Sequence, residues 1–153
     1  MIAGAKGETL DLVIAIDTTE SMEDDVPFLK ENLIPLVRDT TAGFRRFRLG
    51  LVYYKDYYEE YLTRSYDFQE DLSLAQRVVD TIRVFGGRDI PEAVNEALYA
   101  AVTSFPWEAD ERLVILIGDA PPHPLPRGSV TPDMVREAAK KSAVRLNTII
   151  LPQ

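Results

Sequence analysis

Short apolar runs bounded by turn residues alternate along this chain with stretches whose apolar residues recur every three or four positions. Leu10 to Ile16 and Leu113 to Ile117 are rich in Val, Ile and Leu, and they are followed at once by Asp-Thr-Thr-Glu-Ser and Gly-Asp-Ala-Pro-Pro. Runs this short read as strands buried on both faces. Phe47 to Tyr54 and Val144 to Leu151 read as two more. Between them, residues 22–39 carry Met22, Val26, Leu29, Leu33, Leu36 and Val37 at helical spacing, and residues 71–84 carry Leu72, Ala75, Val78, Val79 and Ile82. Residues 90–104 and 132–144 repeat the pattern. Strand and helix alternate throughout, which predicts an α/β fold: an open, mostly parallel Rossmann-like sheet with helices on both faces. The segment Glu60 to Phe68, a short loop after Phe47 to Tyr54, suits an antiparallel hairpin partner at the sheet edge.

Composition narrows the chemistry. With 153 residues and no internal repeat, residues 1–153 are expected to form a single domain. The 25 Asp and Glu outnumber the 17 Lys and Arg, for a net charge of −8, and the only dense basic cluster is Arg45, Arg46 and Arg48, so no nucleic-acid partner is expected. There is no cysteine and one histidine, which excludes thiol chemistry, thiolate zinc sites and multi-histidine metal sites. A metal here must sit on oxygen. The apolar runs fall far short of the ~20 residues of a membrane span, and the first residues lack a charged n-region and an apolar h-region, so no membrane span and a cytoplasmic location are expected.

Two strands predicted to be buried each end in aspartate, Asp17 and Asp119. In an open α/β sheet, ligands bind outside the carboxyl ends of the strands, where the strand order reverses. If the two strands are neighbours, the carboxylates face one another there, and two such charges about 4 Å apart repel by roughly 4 kcal/mol at an effective dielectric near 20. Something positive is expected between them. Thr19 and Ser21 follow Asp17 at steps of two, placing both hydroxyls on the carboxylate's side of an extended turn. Carboxylates, hydroxyls and waters suit hard, octahedral Mg²⁺ or Mn²⁺. The plain alternative is a polar turn whose Thr or Ser caps the next helix. A third element is Gly86-Gly87-Arg88-Asp89-Ile90-Pro91-Glu92, where Asp89 and Glu92 also fit a capping box with Pro91 in the first turn.

Together these three elements resemble the von Willebrand factor A domain family and its metal-ion-dependent adhesion site. The family's Asp-x-[Ser/Thr]-x-Ser motif appears as Asp17-Thr18-Thr19-Glu20-Ser21, and its aspartate after the central strand matches Asp119 in Ile117-Gly118-Asp119-Ala120-Pro121-Pro122-His123. The resemblance implies that Thr19 and Ser21 bind the ion through hydroxyls while Asp17 helps hold its waters. Where many members place a threonine ligand this chain has Arg88, which cannot coordinate a cation. The turn looks instead like a Gly-x-Asp-x-Pro-Glu variant, which carries that role to Glu92, with Asp89 as the lesser candidate. A full domain of that family usually adds one more helix and strand after the segment matching Val144 to Leu151, so this sequence is expected to be a fragment or a shortened copy, truncated at that C-terminal helix and strand. On that expectation the last strand is a sheet edge through which copies could self-associate.

The function so implied is a binding module in which a bound Mg²⁺ or Mn²⁺ accepts an Asp or Glu carboxylate from a protein partner. The alternative is a Mg²⁺-dependent phosphoryl hydrolase on a similar frame, with Asp17 as nucleophile; it lacks the second aspartate two residues on, and no Gly-x-x-x-x-Gly-Lys-[Ser/Thr] loop is present. A receiver domain would need an acidic pair after the first strand and a lysine after the last. Neither is found. Tyr54-Lys55-Asp56-Tyr57 resembles a Tyr-Arg-Asp-Tyr segment of the same family members, implying a role in orienting waters, with solvation of an edge strand as the plain reading. His123 reads as a loop residue, Glu23 to Asp25 as a solvated helix start, and Trp107 as a packing anchor.

Overall fold

A computed structural model describes residues 8–55, 63–84, 94–119 and 130–151. Among them are five strands, β1 (Thr9–Asp17), β2 (Arg46–Tyr54), β3 (Thr63–Gln69), β4 (Glu111–Gly118) and β5 (Arg145–Ile150), and four helices, α1 (Val26–Thr41), α2 (Leu72–Asp80), α3 (Val94–Thr103) and α4 (Pro132–Lys141). The sheet order is β3-β2-β1-β4-β5. All neighbours run parallel except β2 and β3, which form the expected antiparallel edge pair.

Alternation along β1 sorts its side chains between two layers. Leu10, Leu12, Ile14 and Ile16 enter a core with α1 (Leu29, Leu33, Ile34, Val37) and α2 (Ala75, Val79). Val13 and Ala15 enter the opposite core with α3 (Val94, Ala97, Ala101) and Ala139 of α4. Nearly all of β1 and the last six residues of β4 are buried, as their unbroken apolar runs require. At Gly50 in β2 an added β-carbon would collide with the Phe105 ring, so only glycine admits that ring against the strand.

The amino ends of the strands are closed by an ion pair. Asp11, 1% exposed, accepts from Arg48 Nε and Nη2 at 2.7 Å each and from the amides of Glu108 (2.8 Å) and Ala109 (2.9 Å). Arg48 also stacks over Phe68, which packs against Phe105 and Trp107. Trp107 anchors this corner as expected, its indole donating to the Val102 carbonyl at 2.7 Å.

Several boundaries depart from the periodicity. The first helix begins at Val26, not at residue 22: Glu20–Met22 form a single 3₁₀ turn and Glu23 to Asp25 a further turn, with Met22 fully buried beneath them. The three acids therefore precede the helix, and Asp25 makes no side-chain cap bond. α2 stops at Asp80, where Thr81 turns back on Val78, and α4 stops at Lys141 because Ala143 enters the left-handed region at φ 55°. The expected first residues of the 90–104 helix, with Arg88, Asp89 and Glu92, lie outside the described residues, as do His123 and Asp56-Tyr57.

Candidate functional site

After β1 the chain crosses to β2 on one side, and after β3 it returns to β4 on the other side of β1. The strand order therefore reverses between β1 and β4, and the crevice at their carboxyl ends is the place where a ligand is expected. Ile16 pairs with Ile117 at the end of the ladder, so Asp17 and Asp119 leave the sheet side by side. Both are buried, at 0% and 5% exposure.

The turn after β1 is built around the Asp17 carboxylate. Its Oδ1 accepts the Thr19 amide at 2.8 Å and the Thr19 hydroxyl at 2.6 Å. The Thr19 hydroxyl also lies 3.0 Å from that of Ser21. The spacing of two that placed these groups together in the sequence places them together in space. Thr19 precedes the 3₁₀ turn but makes no side-chain cap bond to it, so the plain capping reading fails for this residue: its hydroxyl is turned to Asp17. Burial is graded along the turn, with Asp17 and Thr19 fully buried and Ser21 exposed, so the cluster opens to solvent at Ser21.

Asp17 Oδ2 is buried with no hydrogen-bond partner among the described residues. Burial pushes the Asp17 carboxyl up to about 7. The adjacent Asp119 carboxyl adds to that rise, while the Thr19 hydroxyl and amide oppose it. Charge on such a pair must be balanced by a proton or by a cation. An all-oxygen donor set of two carboxylates and two hydroxyls has the chemistry of a Mg²⁺ or Mn²⁺ site. Among the described residues no group of three or more His, Cys, Asp or Glu side chains gathers. Half of the donors here are hydroxyls, and the candidates Glu92 and Asp89 lie outside the described residues.

The Tyr54-Lys55-Asp56-Tyr57 segment, read as orienting waters or as a solvated edge, is described as far as Lys55. Tyr54 and Lys55 are both fully buried, so the solvated-edge reading fails for these two residues. β3 covers β2, so the edge lies one strand further out. The Tyr54 carbonyl accepts both the Thr18 amide (2.9 Å) and the Thr18 hydroxyl (3.2 Å), and the Lys55 ammonium donates to the Thr18 carbonyl. The basic cluster noted in the sequence lies at the other end of the sheet and is paired with acids: Arg45 with Glu8, Arg46 with Glu70 and Glu108, Arg48 with Asp11.

The family model for the von Willebrand factor type A domain matches residues 11–150. Among solved structures, proximal thread matrix protein 1 from the mussel byssus (crystal form 2) is similar in fold, with a TM-score of 0.61 and 14% identity, over 93% of this chain and 35% of that chain. The present chain thus spans about a third of the length of that solved chain. No curated protein matches the sequence. A five-stranded sheet of this order, with its turn motif at the reversal of strand order and a family match running from Asp11 to Ile150, places the chain in the von Willebrand factor type A domain family, whose members are generally protein-interaction modules and typically not enzymes.

Proposed function

We propose that this domain is a metal-dependent protein-binding module. Thr19 and Ser21 would hold Mg²⁺ or Mn²⁺ through their hydroxyls, Asp17 and Asp119 would balance its charge and hold its waters, and Glu92, or Asp89 in its place, would complete the set. When bound, the ion supplies a Lewis-acidic position for an Asp or Glu carboxylate of a protein partner. The chain's own part is to keep Asp17 and Thr19 dry and pre-oriented, and to leave Ser21 at the mouth where the partner arrives.

The observation that carries this reading is the buried Asp17 Oδ2, which lacks a partner among the described residues and stands beside a second carboxyl. A turn serving only the fold would be expected to satisfy that atom. The test is metal linkage. At about a hundred times its dissociation constant, a cation that binds only the folded chain adds ~2.7 kcal/mol. For a domain of this size the melting temperature then rises by roughly 5–10 °C. EDTA should reverse the rise, and an unchanged melting curve in 10 mM MgCl₂ and MnCl₂ would refute the reading. Self-association through the outer edge of β5, where Ile150 is half exposed, belongs to the same proposal. Sedimentation at several concentrations tests it.

A further inference from the structure

All three polar atoms of Thr18 are held by the end of β2. Its amide and hydroxyl donate to the Tyr54 carbonyl, and its own carbonyl accepts from the Lys55 ammonium. Thr18 sits between Asp17 and Thr19 and is itself fully buried. Fixing its peptide therefore sets the direction in which the groups on either side of it point.

The Lys55 ammonium reaches a second backbone carbonyl, that of Arg83, at 3.5 Å. Arg83 follows α2 and leads into residues 85–93, which carry Asp89 and Glu92. One fully buried cation thus bridges the turn after β1 and the stretch preceding the Gly-Gly segment. Strand alternation places it on the opposite face of the sheet from Asp17. Leu49, Leu51 and Tyr53 belong to the core under α1 and α2, and Lys55 continues that row to meet Arg83, three residues beyond the end of α2. Asp17 follows Val13 and Ala15, which face the other core. The ammonium therefore holds the Thr18 carbonyl from the face opposite Asp17.

We propose that Lys55 is a positioning residue for the cation site: by holding the Thr18 carbonyl and tying it to Arg83, it aims the Thr19 and Ser21 hydroxyls at the ion. This rests on the metal-binding reading above. Lysine suits the role because an ammonium can donate to more than one carbonyl at once. Loss of a group that orients metal ligands typically weakens metal affinity about ten- to a hundredfold.

The experiment is Mn²⁺ titration followed by electron paramagnetic resonance at low temperature, on the wild type and on Lys55→Met, Lys55→Arg and Tyr53→Phe, each first shown to be folded by circular dichroism. Tyr53→Phe serves as the structural control: it removes a bond of 2.5 Å to the Val78 carbonyl, lowering stability without touching Thr18. Lys55→Met should weaken Mn²⁺ binding about ten- to a hundredfold. Lys55→Arg, which keeps the charge and donors, should recover part of that loss, and Tyr53→Phe should bind within twofold of wild type. If Lys55→Met does not fold, Lys55→Arg carries the test, with weaker binding than wild type expected because the broader guanidinium misplaces the Thr18 carbonyl. Wild-type affinity in the folded Lys55 variant, or an affinity above it, would overturn the proposal while leaving the metal site standing. Absence of Mn²⁺ binding by the wild type would overturn both.

Discussion

The hydroxyl of Tyr54 lies within collision distance of the point where a β-carbon on Gly118 would stand. The next nearest atoms to that point are Asp17 Cβ at 3.4 Å and Asp17 Oδ2 at 3.6 Å, so the glycine lets a phenol from β2 reach over β1 and end against the acidic pair. Gly118→Ala should cost about 1–3 kcal/mol through overpacking and weaken cation binding by displacing Asp17. Only the hydroxyl is in collision, so adding Tyr54→Phe should restore most of the stability. Urea denaturation of the two single variants and the double variant checks this. A double variant no more stable than Gly118→Ala would place the strain elsewhere.

Asp119→Asn removes one of two repelling charges. It should abolish the cation-induced rise in melting temperature, while the metal-free protein keeps or gains stability. Differential scanning calorimetry in EDTA and in MnCl₂ separates the two effects. A large loss in EDTA with the cation response intact would show that Asp119 serves the fold.

Legibility followed the range over which each feature is determined. The strands and most of the helical cores were readable because burial on two faces leaves an unbroken apolar run and burial on one face leaves a three-to-four repeat. The Asp17, Thr19 and Ser21 cluster was readable because its geometry is local. Helix ends were not. The acids at 23–25 look like a helix start, yet Met22 must be buried under the turn and the helix waits until Val26. The roles of Lys55 and Gly118 depend on which strand covers β2 and which side chain crosses β1, and no spacing within either segment encodes that.

The third ligand role is tested by substitution. Glu92→Gln should weaken Mn²⁺ binding strongly; glutamine also suits the capping box that the sequence suggests for Asp89 and Glu92, so the loss would report the carboxylate itself. Asp89→Asn should have the smaller effect. Titration calorimetry of both variants decides the order, and normal binding by Glu92→Gln would transfer the role to Asp89.

Acid sensitivity should arise at the opposite end of the sheet. Burial alone would raise the Asp11 carboxyl, but the Arg48 fork and the amides of Glu108 and Ala109 outweigh it and hold the group below the ordinary value of 3.8. A folded pKa below the unfolded one contributes stability that is present above the unfolded value and lost as the pH falls through the folded one. Wild-type urea midpoints should therefore drop as the pH falls below 3.8. Arg48→Met strands a buried carboxylate, at a loss of about 3–5 kcal/mol, and its contribution from Asp11 should reverse sign, strengthening as the pH falls. An acid limb of the same slope in both proteins would exclude Asp11 as its source.

Ala143 adopts φ 55° just after α4 and is exposed. An L residue is strained there and glycine is not. Ala143→Gly should stabilise the domain by about 0.5–1 kcal/mol, which scanning calorimetry would register as roughly 1–4 °C. A lower melting temperature would mean that the cost to the unfolded chain dominates.

Leu10 pairs with Glu111 and Ile16 with Ile117, so the ladder that brings Asp17 beside Asp119 joins segments about a hundred residues apart. Contacts so distant along the chain form only after a large loop has been closed, and they slow the search for the native pairing. A cation held between the two aspartates has no site to enter until that ladder exists. Its effect should therefore fall on escape from the native state: Mn²⁺ should lower the unfolding rate and leave the refolding rate nearly unchanged. The domain's response to metal would then be seen in how long it stays folded, not in how fast it arrives.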